Sequence, residues 1–401
     1  MGALAAVLLL PATASAHAQV VRFDPGPGLL SAVPGFVSIN FSEPVTPFGR
    51  GIDVFSPDGN RVSGTATRKG LDSTTLVAPL IDYQRLPEGT YLVEWRVVAQ
   101  DTHPSRGAYT FSVGHPGPAP GGAVESGESG DLGAVAPLGL LLQALARWLH
   151  FLGFALSFGV LTFQLLVLRE LQPPPRLRRL VYLGIGLLIV AEPIALVAQA
   201  ASLGTVDSPS LADVLGSAFG RVLALRVGAA LLLWGLLGAL REVGWRWAWS
   251  VPVLGVALAL IDGLAGHTIR GAPELAAQLL TAVHVAAMVA WVGGFAALLA
   301  VVGATADRQR LLTRFGRLAV VSVALLVASG LLLALVHLRT PADLAFTAYG
   351  LTLAFKVAAV AVALGAAYLG LRSARSGRPE AIALAGVLAL AALLASLPPP
   401  R

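Results

Sequence analysis

From residue 137 onward the chain is a succession of long apolar stretches, and no other feature constrains its fold as strongly. Eight are counted, at 137–168, 177–202, 215–240, 247–265, 274–303, 315–338, 349–371 and 380–397. Each is near or above the ~17–25 residues that cross hydrocarbon as a helix. Length decides for helix over strand here, because periodicity does not. Composition agrees: the 401 residues are 56% hydrophobic and 12% charged, with mean hydropathy +0.75. A water-soluble domain needs far less apolar surface. The expected architecture is a small all-β domain followed by an all-α polytopic membrane domain of about eight transmembrane helices, residues 137–401.

The residues before 137 divide into three parts. LAAVLLLPA is a short apolar core and ASA at 14–16 suits leader cleavage before His17, so 1–16 read as a signal peptide. The preceding MGA carries no Lys or Arg; either the start lies upstream or the leader is retained. With cleavage, the mature chain begins at His17. Over 17–113 the texture changes to short alternating runs, FVSINFS, GIDVFS, TYLVEWRVVA and AYTFSV, separated by turn signals such as SPDGN and LPEGT. That pattern predicts a Greek-key β-sandwich or barrel. Residues 114–136, rich in Gly, Pro, Ser and acids, form a linker. His115 within it is read as a solvated side chain ahead of an additional metal ligand.

Arginine placement orients the membrane half. With the β domain outside, the inner loops hold Arg169, Arg176, Arg178 and Arg179; Arg241 and Arg246; Arg308, Arg310, Arg314 and Arg317; and Arg372, Arg375 and Arg378. The outer loops hold chiefly Arg270 and Arg339. This is the positive-inside pattern. Against that frame the ionisable groups inside the apolar stretches all fall toward the outer side: Arg147, His150, Glu192, Arg226, Asp262, His267, His284, His337 and Lys356. Each charged group at mid-bilayer costs about 2.5–3.5 kcal/mol on insertion scales and needs a reason. Structural pairing, Arg147 with Glu192 and Lys356 with Asp262, would account for the Arg and Lys. For His150 and His284 a metal or proton role is the stronger reading, imidazole being the commonest metal ligand. The glycines of WVGGFAALL, 291–299, predict a close helix–helix contact.

A second set of metal-type residues lies in the β domain. A histidine at a free N-terminus offers its α-amine and Nδ1 as one chelate. Asp101 and His103 are two apart in AQDTHPSRGAY, so on a strand both face one side. Pro104 holds the residue before it extended. Three nitrogens and one carboxylate suit tetragonal Cu(II); zinc could use similar residues. The chain has no Cys and only two Met, Met1 and Met288, which excludes disulfides, thiolate sites and a thioether-rich cuprous site. No basic stretch interleaved with aromatics points to nucleic acid, and no Walker loop points to ATP-driven transport.

HAQVVRFDPGPG at 17–28, INFSEPVTP at 39–47 and GTYLVEWRVVAQDTHPSRGAYTFSV at 89–113 resemble the CopC family of periplasmic copper-binding proteins. LARWLHFLGFALSFG (145–159), LTAVHVAAMVAWVGGFAALL (280–299), RFGRLAVVSVALLVASGLLLALVHL (314–338) and AYGLTLAFK (348–356) resemble CopD. The chain thus looks like a fusion of the two over nearly its whole length. The resemblance implies a cupredoxin-like sandwich and maps the family's Cu(II) ligands onto His17, Asp101 and His103, with Glu43 supporting them from behind. DTHP stands where the family commonly has DGHP, and the Met-rich Cu(I) site of some members is absent. For the membrane half it implies copper movement, with His150, His284, His267, Glu192 and Asp262 as candidates for the path.

The function expected is a non-enzymatic copper-binding protein of the bacterial cytoplasmic membrane. Its N-terminal domain, on the periplasmic side, captures Cu(II). It then hands copper to a His and acid pathway for import, homeostasis or resistance. Lipid and other copper-handling proteins are the partners expected besides copper itself. A non-transporting sequestration, sensing or delivery protein shares every metal residue and stays open. A histidine-brace copper oxidase is the remote alternative, since such enzymes use two histidines around an open axial position, whereas the Asp101 carboxylate would fill an equatorial one.

Overall fold

The structure, a computed structural model, describes residues 20–68, 74–99, 104–120, 137–170, 173–203, 206–239, 248–264, 274–304, 307–338, 340, 342–373 and 378–397. The leader, His17, Asp101, His103 and His267 lie outside the described residues. Contacts divide the chain into two compact units, one holding the β domain together with residues 199–220 and the other the remaining helices.

Eight strands build the β domain: β1 (Val20–Asp24), β2 (Gly28–Leu30), β3 (Phe36–Phe41), β4 (Val45–Phe55), β5 (Thr67–Arg68), β6 (Thr75–Pro79), β7 (Gly89–Ala99) and β8 (Pro104–Val113). They form two four-stranded sheets, ordered β1-β3-β6-β5 and β2-β8-β7-β4. In β3 the period-2 pattern is plain: Val37, Ile39 and Phe41 are buried while Phe36, Ser38 and Asn40 are not. β7 lies inside its sheet between β4 and β8 and is buried along almost its whole length. Val37, Ile39, Ile52, Leu76, Tyr91 and Val97 meet in one core at 0% exposure. Burying such a side chain contributes about 1.5–3 kcal/mol each.

Two local features show why these strands pair as they do. The SPDGN segment closes β4 onto the next run through Ser56 N–H to Asn60 O at 2.8 Å, with Gly59 at φ +79°. That conformation favours glycine, as the turn chemistry predicts. Trp95 and Gly107 are cross-strand partners, and a β-carbon on Gly107 would collide with the Trp95 ring. The indole occupies the space left by the missing side chain. Beside it, Phe23 packs on Tyr109 and Trp95, with centroids 4.2 and 5.5 Å apart.

Among the described residues, eight of the following nine helices fall on the expected apolar stretches, Ser208–Gly216 being the exception. The nine are α1 (Pro137–Phe154), α2 (Pro175–Ser202), α3 (Ser208–Gly216), α4 (Ala218–Ala239), α5 (Ser250–Leu264), α6 (Glu274–Val301), α7 (Arg308–His337), α8 (Ala348–Ser373) and α9 (Arg378–Ser396). α1 runs on through π-helical turns at Ala155–Gly159 and Gln164–Leu168. Six helices among the described residues are long and apolar enough to cross a membrane, and Ser250–Gly263 and Leu384–Ser396 are shorter apolar helices. Of the eight spans expected, six are matched by helices of spanning length, and the other two stretches form shorter apolar helices. The short α3, between the second and third spans, belongs to the β-domain unit: its Asp213 accepts a hydrogen bond from Gly49 N–H at 2.8 Å.

Within the helical unit, glycine does the work assigned to it, and arginines tie helix ends together. A β-carbon on Gly293 would collide with Ala155 O and stand 2.7 Å from Gly159 Cα, so α6 meets the π-helical continuation of α1 backbone to backbone. Arg314 donates to Val167 O at 3.1 Å, and Arg176 to Ala300 O at 3.2 Å. Arginines at the starts of α7 and α2 therefore satisfy carbonyls at the ends of the first and fifth spans. These four helix ends share one side, as the positive-inside reading requires.

Candidate metal site and a buried membrane cluster

Three strand pairings decide which segments meet at one end of the sandwich. Val20 pairs with Phe41, Val45 with Ala99, and Val98 with Pro104. The chain before β1, the Ser42–Pro44 link between the two sheets, and the connection from β7 to β8 therefore all leave the sandwich at the same end. Glu43 stands in that link, half-buried. His17 precedes Val20 by three residues, a reach of at most ~10 Å of chain. Asp101 and His103 fall in the β7–β8 connection. The described residues that flank all three are brought together by register alone. At the opposite end, His115 is exposed beside Glu88, with Nδ1 2.9 Å from Oε2.

In the helical unit, four of the polar groups placed by sequence on the outer side converge. His150 of α1 has Nδ1 2.9 Å from Glu192 Oε1 of α2 and Nε2 3.1 Å from Asp262 Oδ2 of α5. Arg226 of α4 donates from Nε to Asp262 Oδ1 at 2.9 Å and lies 3.7 Å from Glu192 Oε2 through Nη1. His150, Glu192 and Asp262 are 2%, 3% and 5% exposed, so water does not screen these charges. The two ring nitrogens sit on opposite edges of the imidazole, each already facing a carboxylate. No single ion can reach a ring nitrogen and both carboxylates at once in this arrangement. Among the described residues no group of three or more His, Cys, Asp and Glu is gathered for a metal.

His284 of α6 is arranged differently. Ser329 of α7 gives its one hydroxyl proton to Leu325 O, so it accepts from His284 Nδ1–H, 2.9 Å away. The proton on Nδ1 leaves the Nε2 lone pair facing Lys356 Nζ of α8 at 3.5 Å. Lys356 therefore neighbours His284, not Asp262 as the pairing argument expected; Asp262 is taken by Arg226 and His150. His337 gives Nδ1–H to Leu333 O of its own helix at 2.7 Å, a structural contact. Arg226 is the member of the cluster whose role sequence reasoning missed. The signal was present: an arginine in the middle of an apolar stretch, level with two acids.

Residues 20–114 match the family model described as CopC domain, and 138–275 the one described as copper resistance protein D-like, N-terminal domain. Copper resistance protein C of Pseudomonas syringae pv. tomato is 36% identical over 115 residues, 27% of this chain and 90% of that protein. The chain belongs to the CopC family and carries a CopD-like membrane domain. Protein YobA of Escherichia coli (strain K12) is 36% identical over 100 residues, 24% of this chain and 79% of that protein. Copper transport protein CutJ of Bacillus subtilis (strain 168) is 27% identical over 373 residues, 87% of this chain. The chain spans 66% of that relative's length. The CopC match coincides with β1 to β8, and the CopD-like match contains every helix that contributes to the His150 cluster.

Proposed function

We propose that this chain captures Cu(II) outside the cytoplasmic membrane and passes copper into its membrane domain. His17, through its α-amine and ring, Asp101 and His103 hold the ion, and Glu43 orients them from behind. The observation that carries this reading is the shared strand register. It gathers the flanks of His17, Glu43 and the DTHP segment at one end of the sandwich, although the first and last are more than eighty residues apart in sequence. In the membrane domain, His284 Nε2 is the nitrogen with a lone pair available to copper, guarded by the Lys356 ammonium. The name of the relative CutJ, a copper transport protein, supports passage over simple storage.

Electron paramagnetic resonance of the full-length protein with one equivalent of Cu(II) tests the site. A tetragonal, nitrogen-coupled signal is expected, lost in His103→Ala, with N-terminal sequencing beginning at His17. An unchanged signal in His103→Ala overturns the ligand set. Cytoplasmic copper compared in cells with and without the gene tests passage; equal accumulation with the signal intact leaves sequestration as the function.

A further inference from the structure

The position of the His150 ring between two carboxylates decides how many protons the membrane cluster holds. A neutral imidazole has one N–H and one lone pair. With Glu192 Oε1 at 2.9 Å and Asp262 Oδ2 at 3.1 Å, either neutral tautomer sets a lone pair against an ionised carboxylate. Both contacts are satisfied when the ring carries two protons, or when one carboxylate is itself protonated and donates. In either form the cluster binds one proton beyond the fixed charge of Arg226, and the protons belong to the group rather than to one residue. Two carboxylates, one guanidinium and that proton sum to zero. Without the proton the sum is −1, in a place where the three acid–base side chains are at most 5% exposed.

Among the described residues, the charged groups facing His150 are Glu192 from α2, Arg226 from α4 and Asp262 from α5; on its own helix, Arg147 lies one turn away. From α6, His284 turns to Ser329 and Lys356 instead.

We propose that the His150–Glu192–Asp262–Arg226 cluster is the proton site of the membrane domain, and that copper crosses with an accompanying proton movement. The inference rests on the copper-passage reading above. In the step, an N–H bond of the His150 imidazolium breaks, the electron pair stays on nitrogen, and the proton passes to water. No electron is transferred. The cluster, now at −1, favours a copper cation elsewhere in the same bundle, and rebinding of the proton removes that attraction. By linkage the copper cation must in turn favour loss of the proton.

The test uses the full-length protein in lipid. In ¹⁵N-histidine NMR near neutral pH, one ring is expected in a doubly hydrogen-bonded, proton-bearing state. Its signal should vanish in His150→Gln and shift in Glu192→Gln, the second variant guarding against misfolding of the first. Copper bound per chain should be the same in wild type and both variants. In liposomes with an entrapped pH dye, cuprous ion under ascorbate, and cupric ion in a second arm, should change the internal pH for wild type but not for His150→Gln. A His150 ring free of any shared proton, the loss of one copper per chain in both variants, or copper crossing with no proton flux overturns the proposal. A wild type that moves no copper defeats the passage reading and the coupling, while the NMR and the copper count still decide the proton site.

Discussion

Arg226 sets both Nε and Nη2 on a single oxygen of Asp262, at 2.9 and 2.8 Å. With its Nη1 3.7 Å from Glu192, one guanidinium links α4 to both α5 and α2. Removing one partner of a buried ion pair costs about 3–5 kcal/mol, because the stranded charge stays desolvated. Arg226→Leu should therefore lower the thermal midpoint of the detergent-solubilised protein sharply. The double variant Arg226→Leu/Asp262→Asn should recover part of the loss, since it removes the stranded charge. Equal midpoints for wild type and Arg226→Leu would show that the guanidinium does not hold the cluster together.

Gly107 leaves room for the Trp95 indole across the β7–β8 ladder. Gly107→Ala forces the ring to move, and overpacking of this kind typically costs about 1–3 kcal/mol. A lower denaturant midpoint and an altered tryptophan emission are expected. An unchanged midpoint would mean the ring relocates freely.

The contact between α6 and the continuation of α1 depends on Gly293 and Gly159. Gly293→Val places a branched side chain against the Ala155 carbonyl, which a rotamer change cannot relieve. Loss of monodisperse protein in detergent is the expected readout, whereas Gly186→Val, where nothing lies within 4 Å of the added carbon, should purify like wild type.

Alkaline pH tests the β core. Tyr91 is fully buried, gives its hydroxyl proton to Pro87 O at 2.6 Å, and stacks on Phe111. Burial first, and the charge of Asp58 second, push its phenol up to about 12. An unfolded phenol ionises near 10. The folded value being the higher, the contribution is intact below about pH 10 and is lost as pH rises through about 12. Tyrosinate absorbance should thus rise together with loss of the β-sheet dichroism. Tyr91→Phe should move that alkaline transition upward while costing about 0.5–1.5 kcal/mol at neutral pH for the missing hydrogen bond.

Strands with strong alternation or aromatic content, β3, β4, β7 and β8, were legible in the sequence, as were the eight apolar helices. β1, β2, β5 and β6 were not. β2 and β5 have only three and two residues, and β6 ends on Pro79, so neither length nor pattern marks them. In the membrane half, loop charge gave the depth of each polar residue but not the face it occupies. Helices apolar on every side carry no rotational phase, and that is why Lys356 was paired with Asp262 although it stands beside His284. The cluster's members were readable one by one; their meeting was not, because α2 contributes Glu192 and α5 contributes Asp262 from seventy residues apart.

The glycine seam between α6 and the first span acts as a seal. With backbone set directly against backbone where Gly293 meets Gly159, the crossing leaves no gap for water or lipid, so the two helices that carry His150 and His284 are closed to both solvents at that point.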